Sequence, residues 1–371
     1  MPRALRVAYV VLSPTFGMHQ YTADLATQAL LAGHEVHLVT TLGYPADRYS
    51  PAIGIHTPVV QSTTGFDAGG LAAAQLAATL KTLHHLRPDV VHIAAVHLWN
   101  PLLLLALRAT GVPTVHSLHD LEPHPDVRHG HLIRCWNRWV IAGASHLLVH
   151  ARATRRALLS AGRSRAALTA FPLTHSFLGW ELDRRLQATQ PAVTYEPWAL
   201  FFGRLHAYKG VAVLLAAAAE LAGADLPDPW LVLAGAGDLE QIWPGPLPRG
   251  VVIHGAHIDD TSAWDYFRRC SLLVLPYTGA SQSALPAAAY AFAKPVLVGN
   301  SGALAEVVIH DQTGWVTPAG DITALADQLR SAFSRPSQFQ RMGRNGRAWY
   351  EAQRRAQPGI LDALYRQLAQ A

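Results

Sequence analysis

Short apolar runs alternate with amphipathic stretches along nearly the whole chain, and that alternation stops once and then restarts. Residues 5–11 read as a strand through Leu5, Val7, Tyr9 and Val11. Residues 18–32 read as a helix with Tyr21, Leu25 and Ala29 on one face, Gly33 is placed as its C′ residue, and Glu35 to Thr40 is again strand-like. A β-loop-α-β opening is the unit from which parallel sheets are built. Further strands are expected at 89–95, 113–118 and 145–150, separated by helices at 70–86, 100–110 and 131–142. One doubly wound domain over residues 1–175 follows.

Pro172, Gly179, Pro191 and Pro197 then break the periodicity, and the linker is placed near 170–195. Beyond it the pattern predicts strands at 198–203, 230–234, 251–254, 271–276 and 295–299, with helices at 210–222, 261–269 and 284–293. The second domain is set at 195–345, followed by a helical tail over 346–371. A chain of 371 residues, half of them apolar, has enough core for both domains. The fold class expected is α/β, two Rossmann-like doubly wound parallel-sheet domains in tandem. Ligands of such pairs bind in the interdomain cleft, where loops at the strand C-termini face each other.

Several classes drop out. Cys135 and Cys270 are too few and too far apart for a disulfide framework or a thiolate metal site, and a reducing cytoplasm suits them. Met1 to Val11 reads as a strand rather than a secretion signal, and no run approaches the roughly 20 apolar residues that span a bilayer. A formal charge of +5 suits anionic partners: nucleotides, phospholipid surfaces or nucleic acid. Without zinc-ligand spacing, an aromatic RNA-reading signature or a lysine-rich arm, nucleic acid ranks last.

The stretch FFGRLHAYKG, residues 201–210, leaves a strand through Gly203, carries Arg204 and Lys209 on the loop and enters a helix at Gly210. Two cations beside a helix N-terminus suit a diphosphate; two solvated surface charges are the alternative. Gly235-Ala236-Gly237 after the LVLAG strand allows close backbone approach to a ligand, or is a turn. Pro276 ends a strand, and Thr278 to Ser283 lead into the next helix with free N–H groups and hydroxyls that suit an anion; capping by Ser281 or Ser283 explains them equally well.

The order GR-x4-KG, strand then G-x-G, LPY, a small-residue helix ending in Lys294-Pro295-Val296, then Gly302 and Glu306 before Thr313-Gly314, resembles the GT-B family of retaining, nucleotide-sugar-dependent glycosyltransferases. In the N-terminal half the loop ending at Gly17, Gly33-His34-Glu35-Val36, Asp89-Val90-Val91-His92 and His119-Asp120, six residues after Pro113, resemble it too. The resemblance implies that Arg204 and Lys209 hold the donor diphosphate, that Gly17 lets the first loop approach it and that His119 faces the donor sugar. It further implies that the loop from Gly255 to Ile258 holds the base, that Gly203, Gly235 and Gly237 line the donor site, and that Ser281, Gln282, Ser283, Ala284 and Leu285 meet phosphate or sugar through backbone groups. One departure stands out. The family's two glutamates fall on Ala280 and Ala288, and a branch with Ser-Gln-Ser in this loop also lacks the first.

The resemblance implies front-face attack, with the leaving phosphate oxygen taking the acceptor proton, no nucleophilic side chain and no cofactor beyond the donor. No metal is expected: Asp259-Asp260 is read as capping the helix near Thr261. A nucleotide-sugar 2-epimerase and a silent nucleotide-sugar binding subunit are the alternatives. The acceptor, a saccharide or a lipid-linked one, would be chosen by loops 41–70 and 120–135. Arg134, Trp136, Arg138 and Trp139, with Arg152, Arg155, Arg156, Arg163 and Arg165, suit peripheral docking on the anionic inner face of the cell membrane. The competing reading turns both tryptophans into the core.

Overall fold

The computed structural model describes residues 3–60, 73–121, 130–189, 191–279 and 282–370. It divides into two units: Met1–Phe171 with Gly179–Glu181 and Arg354–Ala371, and Pro172–Leu178 with Leu182–Gln353.

In the first unit the elements run β1 (Arg6–Val11), α1 (Phe16–Leu31), β2 (Glu35–Thr41), β3 (Gly54–Val59), α2 (Ala73–Leu86), β4 (Val90–Ile93), α3 (Asn100–Ala109), β5 (Thr114–Ser117), α4 (Gly130–Gly143), β6 (His146–Val149), α5 (Arg152–Ser160) and β7 (Leu168–Ala170). The strands form one parallel sheet in the order β3-β2-β1-β4-β5-β6-β7. Central β1 is buried without a break from Val7 to Val11. That explains its continuous apolar run, because a parallel sheet is covered on both faces. Helix α1 ends as its sequence predicts: Gly33 takes φ +85°, its N–H bonds to the Leu30 carbonyl, and His34 N–H bonds to that of Ala29.

The second unit continues with α6 (Trp180–Ala188), β8 (Ala199–Phe202), α7 (Val211–Glu220), β9 (Leu231–Ala234), α8 (Leu239–Ile242), β10 (Val251–His254), α9 (Asp260–Arg269), β11 (Leu272–Leu275), α10 (Leu285–Ala291), β12 (Val296–Gly299), α11 (Leu304–Val307), β13 (Gly314–Thr317), α12 (Ile322–Phe333) and α13 (Ser337–Ala369). Its sheet is parallel as well, ordered β10-β9-β8-β11-β12-β13. Phe177, Phe202, Phe267 and Phe292 interlock in its core, with Phe177 and Phe267 ring centres 4.5 Å apart. Fully burying a ring such as Phe267 contributes about 1.5–3 kcal/mol.

Three strands lie beyond the sequence expectation. β3, inside the segment read as a loop, contains Gly54 and Pro58, and β7 has three residues; both are edge strands, where irregular sequences are tolerated. β13 opens on Gly314, which reads as a turn but is demanded by packing: a Cβ there would stand 1.9 Å from the Val296 carbonyl oxygen. The segment read as linker holds α6, and α5 also escaped the periodicity reading.

The helical tail expected over 346–371 is the latter part of α13, which starts at Ser337. From Arg354 onward the helix belongs to the first unit. Arg354 there pairs with Asp24, both nearly buried, and Tyr365 enters the core.

Candidate functional site

In each sheet the strand order reverses once, beside β1 and beside β8, and loops following the strands at such a reversal are where open α/β sheets present ligand-binding groups. In the second unit the loops after β8 and β9 are stitched backbone to backbone. Gly203 N–H bonds to the Ala234 carbonyl at 2.9 Å and Leu205 N–H to that of Ala236 at 2.8 Å. Glycine is required for this contact. Gly235 sits at φ +149°, and a Cβ on it would lie 2.3 Å from the Gly203 oxygen; one on Gly237 would lie 2.5 Å from Leu205.

The loop then turns into α7 at Gly210, left-handed at φ +71°, where a Cβ would meet the Pro276 carbonyl at 1.9 Å. Thr278 N–H bonds to the Tyr208 carbonyl at 2.9 Å, tying the loop after β11 to the loop after β8. Between them stands Lys209. Its Nζ lies 5.3 Å from the centre of the Tyr277 ring and 2.9 Å from where a Cβ on Gly203 would be. Burial, and then the charge of Arg204, pull its pKa down to about 8. Arg204 itself is exposed, and among the described residues neither cation has a carboxylate partner. Two like charges held together without a counter-ion raise the local potential and favour a polyanion.

The remaining expected donor residues differ in how tightly they are held. Leu285 closes on Gly203, its Cδ1 3.9 Å from a Cβ there, and Ser283 Oγ accepts from Leu285 N–H at 3.3 Å, the capping role weighed from sequence. Gln282 and Ala284 are half-buried before α10. Ser281 and Ala280 lie outside the described residues. Gly255 is exposed, its only near neighbour being Ile253 at 3.9 Å, and Ile258 packs partly on the core. Asp259 caps α9 as expected, its Oδ1 accepting from Thr261 N–H at 2.9 Å and Ser262 N–H at 3.0 Å.

In the first unit, Gly17 lies in the first turn of α1, and a Cβ on it would meet nothing within 4 Å. No neighbouring protein atom demands glycine there. His119 follows β5 and is buried; its Nε2 bonds the Ala94 carbonyl at 2.9 Å, so that nitrogen carries the proton. Burial pushes its pKa down. The Tyr21 ring stands edge-on to it at 4.7 Å, and the His150 ring lies 5.9 Å away.

Sequence reasoning missed Tyr277, Tyr21 and His150. Tyr277 had a signal in the LPY motif, whereas Tyr21 was assigned only to a helix face, and one histidine among 20 carries no individual signal. Trp136 is corrected: it is buried with its indole N–H bonded to the His97 carbonyl, while Trp139 is exposed.

Residues 16–174 match the family described as glycosyl transferase 4-like domain, and residues 184–349 match glycosyl transferases group 1. The chain is 29% identical over 277 residues to glycogen synthase of Mycobacterium tuberculosis, covering 70% of this chain and 64% of that one. It is 28% identical over 245 residues to GDP-mannose:glycolipid 4-beta-D-mannosyltransferase of Xanthomonas campestris, covering 62% and 64%. These matches therefore span under two thirds of either relative's length. Sucrose-phosphate synthase from Thermosynechococcus elongatus shares the fold, with a TM-score of 0.73 at 21% identity over 99% of both chains. With two parallel-sheet units and both domain matches in order, the chain belongs to the GT-B glycosyltransferases, a glycosyl transferase 4-like domain followed by a group 1 domain.

Proposed function

We propose that the protein transfers a sugar from a nucleoside-diphosphate donor to an acceptor hydroxyl, with retained configuration and without a metal. The observation that carries this reading is the carboxylate-free pair Arg204 and Lys209 at the end of β8, beside glycines that keep the backbone bare. Fixed cations and a helix N-terminus stabilise charge on the leaving diphosphate, which is electrostatic preorganisation and needs no covalent intermediate. Purified protein is screened by thermal shift against UDP-, GDP-, ADP- and TDP-sugars, because a bound donor raises stability by mass action. Product analysis follows, with and without EDTA. Transfer with retention in EDTA supports the proposal. An epimerised donor supports a 2-epimerase, binding without turnover a silent subunit, and loss restored by magnesium or manganese rejects the metal-free mechanism.

A second element of the proposal is a lipid-linked acceptor at an anionic cytoplasmic membrane surface. Adjacent helices α3 and α4 leave Leu102, Leu105, Leu132 and Trp139 between 46% and 66% exposed. From residue 127 to 180 the chain carries eight arginines and no carboxylate. Apolar side chains rimmed by arginine suit an anionic interface. The Xanthomonas relative's name specifies a glycolipid acceptor, in keeping with this reading.

A further inference from the structure

A continuous chain of hydrogen bonds crosses the core of the first unit. His150 Nδ1 meets the Phe171 carbonyl at 3.0 Å, and its Nε2 meets the Tyr21 hydroxyl at 2.8 Å. Tyr21 meets Ser117 Oγ at 2.6 Å, and Ser117 meets His92 Nε2 at 2.8 Å. His92 Nδ1 meets the Tyr365 hydroxyl at 2.7 Å, Tyr365 meets Tyr9 at 2.7 Å, and Tyr9 ends on the Leu25 carbonyl at 3.1 Å. Both ends are carbonyls, which only accept.

Counting protons gives the chain a direction. It has seven contacts, while two neutral imidazoles, three phenols and one serine hydroxyl supply six protons. One contact must lack a proton. Burial, with four further histidines nearby, holds His92 neutral. If the gap fell at Phe171, the His150 lone pair would face a carbonyl oxygen inside the core. At the other end the Leu25 carbonyl already accepts within α1 by the i to i−4 pattern, so it loses little. The gap therefore falls at Leu25. His150 carries its proton on Nδ1, Tyr21 donates to His150, Ser117 donates to Tyr21, His92 donates from Nε2 to Ser117, Tyr365 donates to His92 and Tyr9 to Tyr365.

We propose that this single proton order makes Tyr21 the positioning residue of His119. The Tyr21 hydroxyl is held from both sides, donating to His150 and accepting from Ser117, while its ring stands nearly perpendicular to those of His119 and His150, at 81° and 79°. Tyr21 thus forms a fixed wall of the slot in which His119 bonds Ala94. The catalytic consequence rests on the proposed transfer reaction; the proton order does not.

Imidazole nitrogen NMR of the full chain tests both parts. Wild-type spectra are expected to show His150 protonated on Nδ1 and His92 on Nε2, and the opposite tautomer at either overturns the order. Ser117→Ala cuts the chain while changing shape little. His92 is then free to donate from Nδ1 to Tyr365, Tyr365 to Tyr9 and Tyr9 to Leu25, so His92 is expected to switch tautomer. A His92 unchanged by Ser117→Ala overturns the order. Tyr21→Phe keeps the ring and removes both hydroxyl contacts; the His119 resonances are expected to move and kcat to fall roughly tenfold, with donor KM changed less than about threefold. His119 resonances that stay put in Tyr21→Phe overturn the positioning role, whatever the activity. Turnover unaffected by His119→Ala while those resonances do move would sink the catalytic reading of His119 and leave the proton order standing.

Discussion

Lys209 offers the sharpest test of the donor site, because its charge is conditional. With a pKa drawn down to about 8 by burial and Arg204, it is an ammonium at pH 7 and largely neutral at pH 9. Replacing it by methionine keeps an apolar stem against Tyr277 and removes the cation. Loss of one charge-assisted contact to a diphosphate costs about 2 kcal/mol, or roughly 30-fold in affinity for UDP or GDP at pH 7. The sign of the pH dependence follows from the direction of the shift: a lowered lysine pKa means the charge disappears as pH rises. Wild-type affinity should be level below pH 7.5 and fall about tenfold per unit well above pH 8, while Lys209→Met stays flat through that range. Near pH 8 binding should also take up about half a proton, seen by calorimetry in buffers of different ionisation enthalpy. Arg204→Ala should weaken binding by a similar factor yet move the break to higher pH, because the Arg204 charge is one cause of the shift. Equal affinity of wild type and Lys209→Met at pH 7, or equal slopes above pH 8, would refute the assignment.

Two glycines should separate structure from binding. Gly210→Ala, strained at φ +71° against Pro276, should lower folding stability by about 2 kcal/mol or more in denaturant titrations, whereas Gly17→Ala, opening on empty space, should cost under about 0.5 kcal/mol yet reduce donor turnover. Asp259→Ala should lower stability by about 1 kcal/mol through the lost cap, with nucleotide affinity unchanged by calorimetry; a weakened nucleotide would return Asp259 to the site. Co-sedimentation should bring the protein down with anionic but not neutral vesicles, and both salt and a Leu105→Glu, Trp139→Glu double variant should release it. No binding to anionic vesicles at low ionic strength would point to a soluble acceptor.

What could be read from sequence was whatever a local pattern records. The apolar run of β1 and the loop residues Gly203, Arg204 and Lys209 sit where the strand-to-helix reading put them, because strand ends and helix starts have local chemistry. β13 was illegible since the need for Gly314 comes from β12, a different stretch of chain. Tyr365 was illegible for a stronger reason. Nothing near it in sequence announces that its hydroxyl meets Tyr9 and His92, from which it is separated by 356 and 273 positions. Even the tryptophans of α4 show the limit of pattern alone: three positions apart, Trp136 turns inward to His97 and Trp139 outward to solvent.

The absent family glutamates bear on how such a site would work. Position 288 lies on α10, where every residue from Pro286 to Ala291 is buried and Ala288 itself is 2% exposed. A carboxylate there needs partners to offset its desolvation, and alanine removes that requirement while keeping the helix tightly packed. Removing a nearby negative charge also leaves the field of Arg204 and Lys209 less opposed. Donor recognition on the proposed reading then shifts from carboxylates that accept from sugar hydroxyls toward cations and backbone N–H groups that bind phosphate. Such a site grips the diphosphate shared by all the candidate donors more firmly than the sugar. Its discrimination among sugars must then come from elsewhere, and His119, held by Ala94 and walled by Tyr21, is the side chain expected to supply it.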